Sequence, residues 1–184
     1  MKNSEGVKII RSNNPGKTVV ILAGVHGNEV CGLKAFEEII PSLKIDRGIV
    51  YFVYGNPRAI AKNVRQTEMN LNRAFIEPSK LTKIEKQSYE YKRSRELIPI
   101  FDQCDASLDL HSFTGPKGTP FIICESRSYE IAKKLPLDII SSGWDNLEPG
   151  STDYYMNSIG GLGICVECGQ HQETFSVAKA KESI

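Results

Sequence analysis

Thr18-Val19-Val20-Ile21-Leu22-Ala23-Gly24-Val25-His26-Gly27-Asn28-Glu29 decides how this chain is built. Its first half is an unbroken β-branched and aliphatic run, the pattern of a strand covered on both faces and hence of a sheet with helices on either side. Residues 24–28 turn the chain. From residue 29 to 43, Val30, Leu33, Ala35, Phe36, Ile39 and Ile40 then recur at helical spacing. Ligands of such open sheets gather outside the carboxyl ends of the strands, and His26 and Glu29 stand at one of those ends.

The alternation continues in both directions. Residues 7–11 form a short expected strand, and Asn13-Asn14-Pro15-Gly16 a turn. Residues 49–54 are the next strand, ended at Gly55-Asn56-Pro57 because proline cannot donate to a ladder. The charged stretch 81–101 predicts a surface helix, with Thr82 and Glu85 as its capping box. Residues 107–111, 120–124 and 164–167 are further strands, residues 128–134 a short helix, and another helix starts at Thr174. The expected fold is α/β, with a mostly parallel or mixed central sheet flanked by helices. No repeat, low-complexity tract or linker interrupts residues 1–184, which suit one domain.

Charge excludes some partners. Lys plus Arg total 23 against 22 Asp plus Glu, well mixed, so no broad field is offered to nucleic acid or to a membrane surface. The N-terminus, Met1-Lys2-Asn3-Ser4-Glu5, is polar, and the apolar run at 19–23 is too short for a signal core or a membrane span. A cytoplasmic location is the expectation. The five cysteines form no regular disulfide framework. Cys165 and Cys168 make a Cys-x-x-Cys that could be a redox or zinc pair, but residues three apart on a strand point to opposite sides, so separate thiols are expected.

Two of the three histidines fall in the candidate site. His26, Glu29 three residues on, and His111 in Asp109-Leu110-His111-Ser112 offer two imidazoles and a carboxylate, the ligand set of a catalytic zinc whose fourth position is left for water. Glu167, in Val166-Glu167-Cys168-Gly169, is the candidate base for that water. His26, His111 and Glu167 all fall at or near the carboxyl ends of expected strands, so sequence-distant residues can meet at one sheet edge. Each has a plainer reading: a lone His26 as a structural histidine, Glu167 as a carboxylate with a structural partner. Asp109 shares a strand face with His111 and is either its orienting partner or structural.

Five blocks carry a family likeness. Gly24-Val25-His26-Gly27-Asn28-Glu29, Asn56-Pro57-Arg58-Ala59, Arg65 followed by Asn70-Leu71-Asn72-Arg73, Asp109-Leu110-His111, and Val166-Glu167-Cys168-Gly169 resemble the succinylglutamate desuccinylase and aspartoacylase family, zinc hydrolases with a zinc carboxypeptidase-like fold. The resemblance implies one zinc per chain on His26, Glu29 and His111. It implies Glu167 as the glutamate that activates the zinc-bound water, Arg65 as the group that polarises the scissile carbonyl, and Asn72 with Arg73 as the grip on the substrate's α-carboxylate. The implied reaction is hydrolysis of the amide of an N-acyl amino acid, a small molecule. Asn70 departs from the aspartate of aspartoacylases, so that charge is not reproduced. Family members usually continue into a smaller β-rich C-terminal domain, and the expectation here is a single catalytic domain over residues 1–184 without it.

Two other functions fit the same residues. One is a zinc carboxypeptidase acting on short peptides, and the other a catalytically silent zinc-binding domain. His171, Tyr154 and Tyr155 are candidates for the pocket wall, with core packing the alternative for the tyrosines. Oligomeric state is not written in the sequence.

Overall fold

The structure, a computed structural model, describes residues 5–115 and 118–184; the polar Met1 to Ser4 lie outside the described residues. Seven strands form one mixed sheet in the order β1-β3-β2-β4-β7-β5-β6. They are β1 (Val7–Arg11), β2 (Thr18–Ala23), β3 (Ile49–Tyr54), β4 (Ala106–Phe113), β5 (Phe121–Cys124), β6 (Ile140–Ser141) and β7 (Leu162–Gln170). β3, β2, β4 and β7 run parallel, β1 pairs antiparallel with β3 and β5 antiparallel with β7, and β6 pairs parallel with β5. The four parallel strands form the middle of the sheet, as the unbroken apolar run of β2 requires. Among the described residues no helix is long and apolar enough to cross a membrane.

Alternation along the strands splits the core in two. Ile21, Ala23, Leu108, Leu110, Ile164, Val166 and Cys168 belong to one buried cluster, with Phe36 of α1 (Cys31–Ile39) and Ala180 of α7 (Thr174–Ser183). Val20, Leu22, Tyr51 and Val53 belong to the other, with Leu97 and Phe101 of α3 (Tyr89–Phe101) and Met156 of α6 (Thr152–Ser158). The second face changes character at the sheet centre. There β4 contributes buried Ser107, Asp109 and His111, and β7 contributes Cys165 and Glu167 in the positions where aliphatic side chains would otherwise sit. That polar gap in an apolar face is where the site lies.

Helix limits differ from the expected ones for local reasons. α1 occupies Cys31–Ile39 and not 29–43, because the Glu29 amide closes a turn on the His26 carbonyl and Pro41 has no N–H to continue the ladder. Pro57, expected only to end a strand, opens α2 (Pro57–Lys62): it occupies the first helical position, and Asn56 Oδ1 accepts from Ala59 N at 3.1 Å. The Thr82–Glu85 box forms, with reciprocal bonds of 2.7 and 3.2 Å, but it closes one 3-10 turn. Ser88 at φ −61°, ψ 155° then breaks the chain and caps α3 through Tyr91 N. The expected helix over 81–101 is therefore in two pieces. The helix over 128–134 shortens to α4 (Tyr129–Ala132), and α5 (Trp144–Leu147) and α6 were not foreseen.

α3 is also no mere surface helix. Arg93 is buried and donates to the carbonyls of Gly55, Glu5 and Tyr54 at 3.0, 2.8 and 3.0 Å. Glu90, fully buried, accepts from Asn56 Nδ2, from Thr67 N and Oγ1, and from the Glu68 and Met69 amides. This one carboxylate gathers the loop that leads from Arg65 to Asn70. Burial alone would raise its pKa, but the bonds from Thr67, Asn56 and Met69 outweigh burial and hold it below the ordinary range. Removing it strands several buried donors, so Glu90→Ala should lower unfolding stability by about 3 kcal/mol or more. Its stabilisation is present above the unfolded carboxylate's pKa and lost as pH falls through the depressed folded value. Denaturation midpoints of wild type and Glu90→Gln should therefore differ at neutral pH and converge in acid; equal midpoints at neutral pH would dismiss the anchor.

Candidate metal centre

His26 and Glu29 lie on the loop between β2 and α1. Gly27 lets this loop press on α2: a β-carbon there would come within 2.1 Å of the Ala59 carbonyl carbon, closer than any side chain tolerates. His111 reaches the same point from β4, and Glu167 of β7 is its register partner across the parallel pair. His26, Glu29 and His111 are 4%, 2% and 3% exposed, and their ligand atoms lie within 4.8 Å of one another. The two carboxylate oxygens of Glu29 divide between the rings, Oε1 at 2.7 Å from His26 Nδ1 and Oε2 at 2.8 Å from His111 Nδ1.

The tautomer of His26 follows from its other nitrogen. Nε2 is 3.0 Å from Asn70 Oδ1, and the Asn72 amide donates to that same oxygen at 2.9 Å, which fixes which end of the Asn70 side chain faces the ring. An amide oxygen only accepts, so Nε2 must carry the proton and neutral His26 presents a bare lone pair at Nδ1. A lone pair 2.7 Å from a carboxylate oxygen requires a cation at their meeting point, either a proton or a metal. The proton is disfavoured: burial, helped by His111 and Arg65, lowers the His26 pKa despite the pull of Glu29. The donor set thus fits a metal ion. Asn70 supplies the orienting bond without the charge of an aspartate.

His111 stands between two carboxylates. Asp109 Oδ2 is 2.9 Å from its Nε2, though the angle leaves Nε2 without a formed hydrogen bond, and Thr152 Oγ1 donates to Asp109 Oδ2 at 2.6 Å. Burial would lower the His111 pKa, but Asp109 and Glu29 outweigh it and raise it well above the ordinary value. Burial would raise Glu29; His111 and His26 overcome it and hold Glu29 far below the carboxylate range. Glu167 is the opposite case. Desolvation lifts it to about 7, only partly offset by His111, and its Oε2 is buried without a partner.

A cavity of about 470 Å³, counting its open mouth, lies over these groups. His26, His111, Glu167, Arg65, Asn72 and Arg73 all line it, so the sequence-selected residues converge. Arg65 Nη1 donates to Glu29 Oε1 at 3.2 Å. Asn72 Oδ1 accepts from Thr152 N at 3.0 Å, and Arg73 is paired with Glu148. Cys165 lines the cavity while Cys168 packs in the core on the other face, as strand geometry requires.

Other candidates fall elsewhere. His171 is absent from the lining and meets Ser112 Oγ through Nδ1 at 2.7 Å. Tyr155 donates to Asp102 at 2.7 Å and packs on Phe75 and Phe101, and Tyr154 is not in the wall. Trp144, Glu148, Ser151 and Asp153, which do form wall, were missed by sequence reasoning. The only signal available was the Gly150-Ser151 helix start, whose Ser151 caps Tyr154 N at 3.2 Å.

Known proteins share this arrangement of chain. A probable aspartoacylase of Prochlorococcus marinus strain MIT 9301 is 28% identical over 172 residues, covering 85% of this chain and 55% of that protein. The succinylglutamate desuccinylase structure from Vibrio parahaemolyticus superposes with a TM-score of 0.80 at 19% identity, over 96% of this chain and 59% of that one. An aspartoacylase family protein from Mesorhizobium loti gives 0.73 at 26% identity, over 96% and 59%. The chain thus spans somewhat over half the length of these relatives. The succinylglutamate desuccinylase/aspartoacylase catalytic domain model matches residues 15–182, from ahead of β2 into the last turn of α7, and the chain belongs to that family.

Proposed function

We propose that this chain is a zinc-dependent hydrolase of the amide bond in N-acyl amino acids, with His26, Glu29 and His111 as the ligands of one zinc. The observation that carries the reading is the convergence of buried His26, Glu29 and His111, with Glu29 2.7 Å from His26 Nδ1 while Nε2 lies 3.0 Å from Asn70 Oδ1. Bound there, zinc supplies a Lewis acid that brings the pKa of a water down to about 7.

The protein's own residues do the rest. Glu167, lifted to about 7 and with Oε2 unpartnered, takes a proton from the attacking water and returns it to the leaving amine. Arg65, about half exposed at the edge of the site, supports the charge that grows on the carbonyl oxygen. Arg73, which already holds a carboxylate in the form of Glu148, and Asn72 receive the substrate's α-carboxylate, a task suited to the planar guanidinium fork. The test is metal analysis together with hydrolysis of a panel of N-acyl amino acids, before and after chelation. Zinc-loaded protein that hydrolyses none of them would sink the reading.

The role of Arg73 has its own check. Converting the substrate's carboxylate to an amide should reduce wild-type kcat/KM by at least about tenfold and reduce Arg73→Ala far less, because both changes delete one interaction. Strictly additive penalties in that cycle would mean that Arg73 does not touch the carboxylate.

A further inference from the structure

Thr152, the first residue of α6, makes two hydrogen bonds that end on different parts of the site. Its N–H donates to Asn72 Oδ1 at 3.0 Å, and its Oγ1 donates to Asp109 Oδ2 at 2.6 Å. That same Oδ2 lies 2.9 Å from His111 Nε2. Thr152 and Asp109 are both fully buried. Gly150 brings the segment in: its φ is +91°, its carbonyl accepts from Phe75 N at 3.0 Å, and a β-carbon on it would lie 2.7 Å from the Arg73 carbonyl oxygen. The start of α6 is therefore pressed against the backbone that follows Asn72, while the helix itself packs on β4.

Each bond settles an orientation. An N–H only donates, so the Asn72 atom facing Thr152 is the amide oxygen, and Nδ2 is the end left to the cavity that Asn72 lines. An amide turned that way donates to a carboxylate; turned over, it would set an oxygen against one. The hydroxyl acts on the other half. Asp109 is out of reach of solvent, so the plane of its carboxylate is set by the groups that bond to it, and Thr152 holds the oxygen that faces the imidazole. A ligand imidazole whose far nitrogen meets a fixed carboxylate keeps its ring direction and its basicity toward the ion. We infer that Thr152 is a positioning residue that joins the metal centre to the substrate grip, orienting Asn72 through its N–H and Asp109, hence His111, through its hydroxyl. This rests on the zinc ligands and the carboxylate grip proposed above.

The two bonds can be removed one at a time. Thr152→Val deletes the hydroxyl and keeps the N–H. Thr152→Pro deletes both, at a first helical position, where proline is accommodated, and after Ser151 at φ −74°, ψ 170°, the extended backbone a residue before proline adopts. Zinc affinity, read by competition with a chelator, should fall about tenfold or more in Thr152→Val, while Thr152→Ser should bind within about threefold of wild type. In an Asp109→Asn background, Thr152→Val should cost less than about twofold, because the hydroxyl acts through that carboxylate. With zinc saturating, KM for an N-acyl amino acid that wild type hydrolyses should stay within about twofold in Thr152→Val and rise about tenfold in Thr152→Pro. Zinc affinity should be the same in those two variants. Thermal melting checks that each is folded, and Thr152→Ala repeats the hydroxyl test if Thr152→Val is not. Undiminished zinc affinity without the hydroxyl, no rescue by Thr152→Ser, or losses that add to those of Asp109→Asn overturn the role of the hydroxyl. Equal KM in Thr152→Val and Thr152→Pro overturns that of the N–H. Both results leave the hydrolase reading standing. Wild type that binds no zinc, or binds it and hydrolyses no N-acyl amino acid, overturns that reading and this inference with it.

Discussion

Glu167→Gln should keep its zinc and lose about 100-fold or more of kcat. The two side chains are nearly the same size, so the pocket is undisturbed, but an amide cannot accept the proton that the attacking water must shed. In the proposed reaction, desolvation is what would fit Glu167 for this exchange. A carboxylate at its ordinary pKa is too weak a base near neutrality, while one lifted to about 7 can both take a proton and give it back. The wild-type profile should therefore fall on the acid side as Glu167 protonates, with an apparent pKa at or below about 7, since a bound cation nearby favours the charged form. The variant's residual rate should lack that limb. Near-wild-type turnover in Glu167→Gln, with zinc present, would transfer the role of base to another group.

Replacing both imidazoles should abolish the metal site outright. In His26→Ala, His111→Ala protein, zinc analysis should find no stoichiometric ion, and hydrolysis should drop to the level of chelated wild type. Glu29→Gln should weaken zinc without eliminating it, because an amide is a poorer ligand than a carboxylate. Asp109 and Glu29 raise the His111 pKa well above its ordinary value, so an ion that binds at the proposed site competes with a proton there. Affinity should thus rise with pH, and calorimetry in buffers of different ionisation enthalpy should detect the released proton. Stoichiometric zinc in the doubly substituted protein would place the ion elsewhere.

The convergence of the candidate ligands was legible because these residues are tied to backbone regularities. Thr18–Ala23 could only be a buried strand, which placed His26 at a sheet edge, and the strand over 107–111 placed His111 at the same one. Glu167 followed for the same reason, and the register then made it the direct neighbour of His111. What stayed hidden depends on side chains crossing between elements. The Asn70 oxygen that fixes the His26 tautomer is 44 residues away in sequence, and no periodicity points to it. Asp153 and Trp144 lie on helices too short for a pattern to develop. Pro57 and Ser88 carried true helix-start signals that were masked by stronger neighbours, the strand before Pro57 and the Thr82–Glu85 box before Ser88. Glu90 and Arg93 look like solvated charges in any linear reading, and only the carbonyls and amides of distant loops explain their burial.

The pairing of β4 with β7 has a consequence in time. His111 and Glu167 become neighbours only when residues 106–113 and 162–170 align in parallel, a contact between distant parts of the chain whose closure is slow. The candidate metal ligands span β2 to β4 in the same way, so the unfolded chain offers no ready-made nest for an ion. An ion that binds only the finished site deepens the native well without lowering the barrier on the way in. Loading the protein with zinc should accordingly leave the refolding rate alone and slow the rate of unfolding, making the ion a latch set after the sheet has closed.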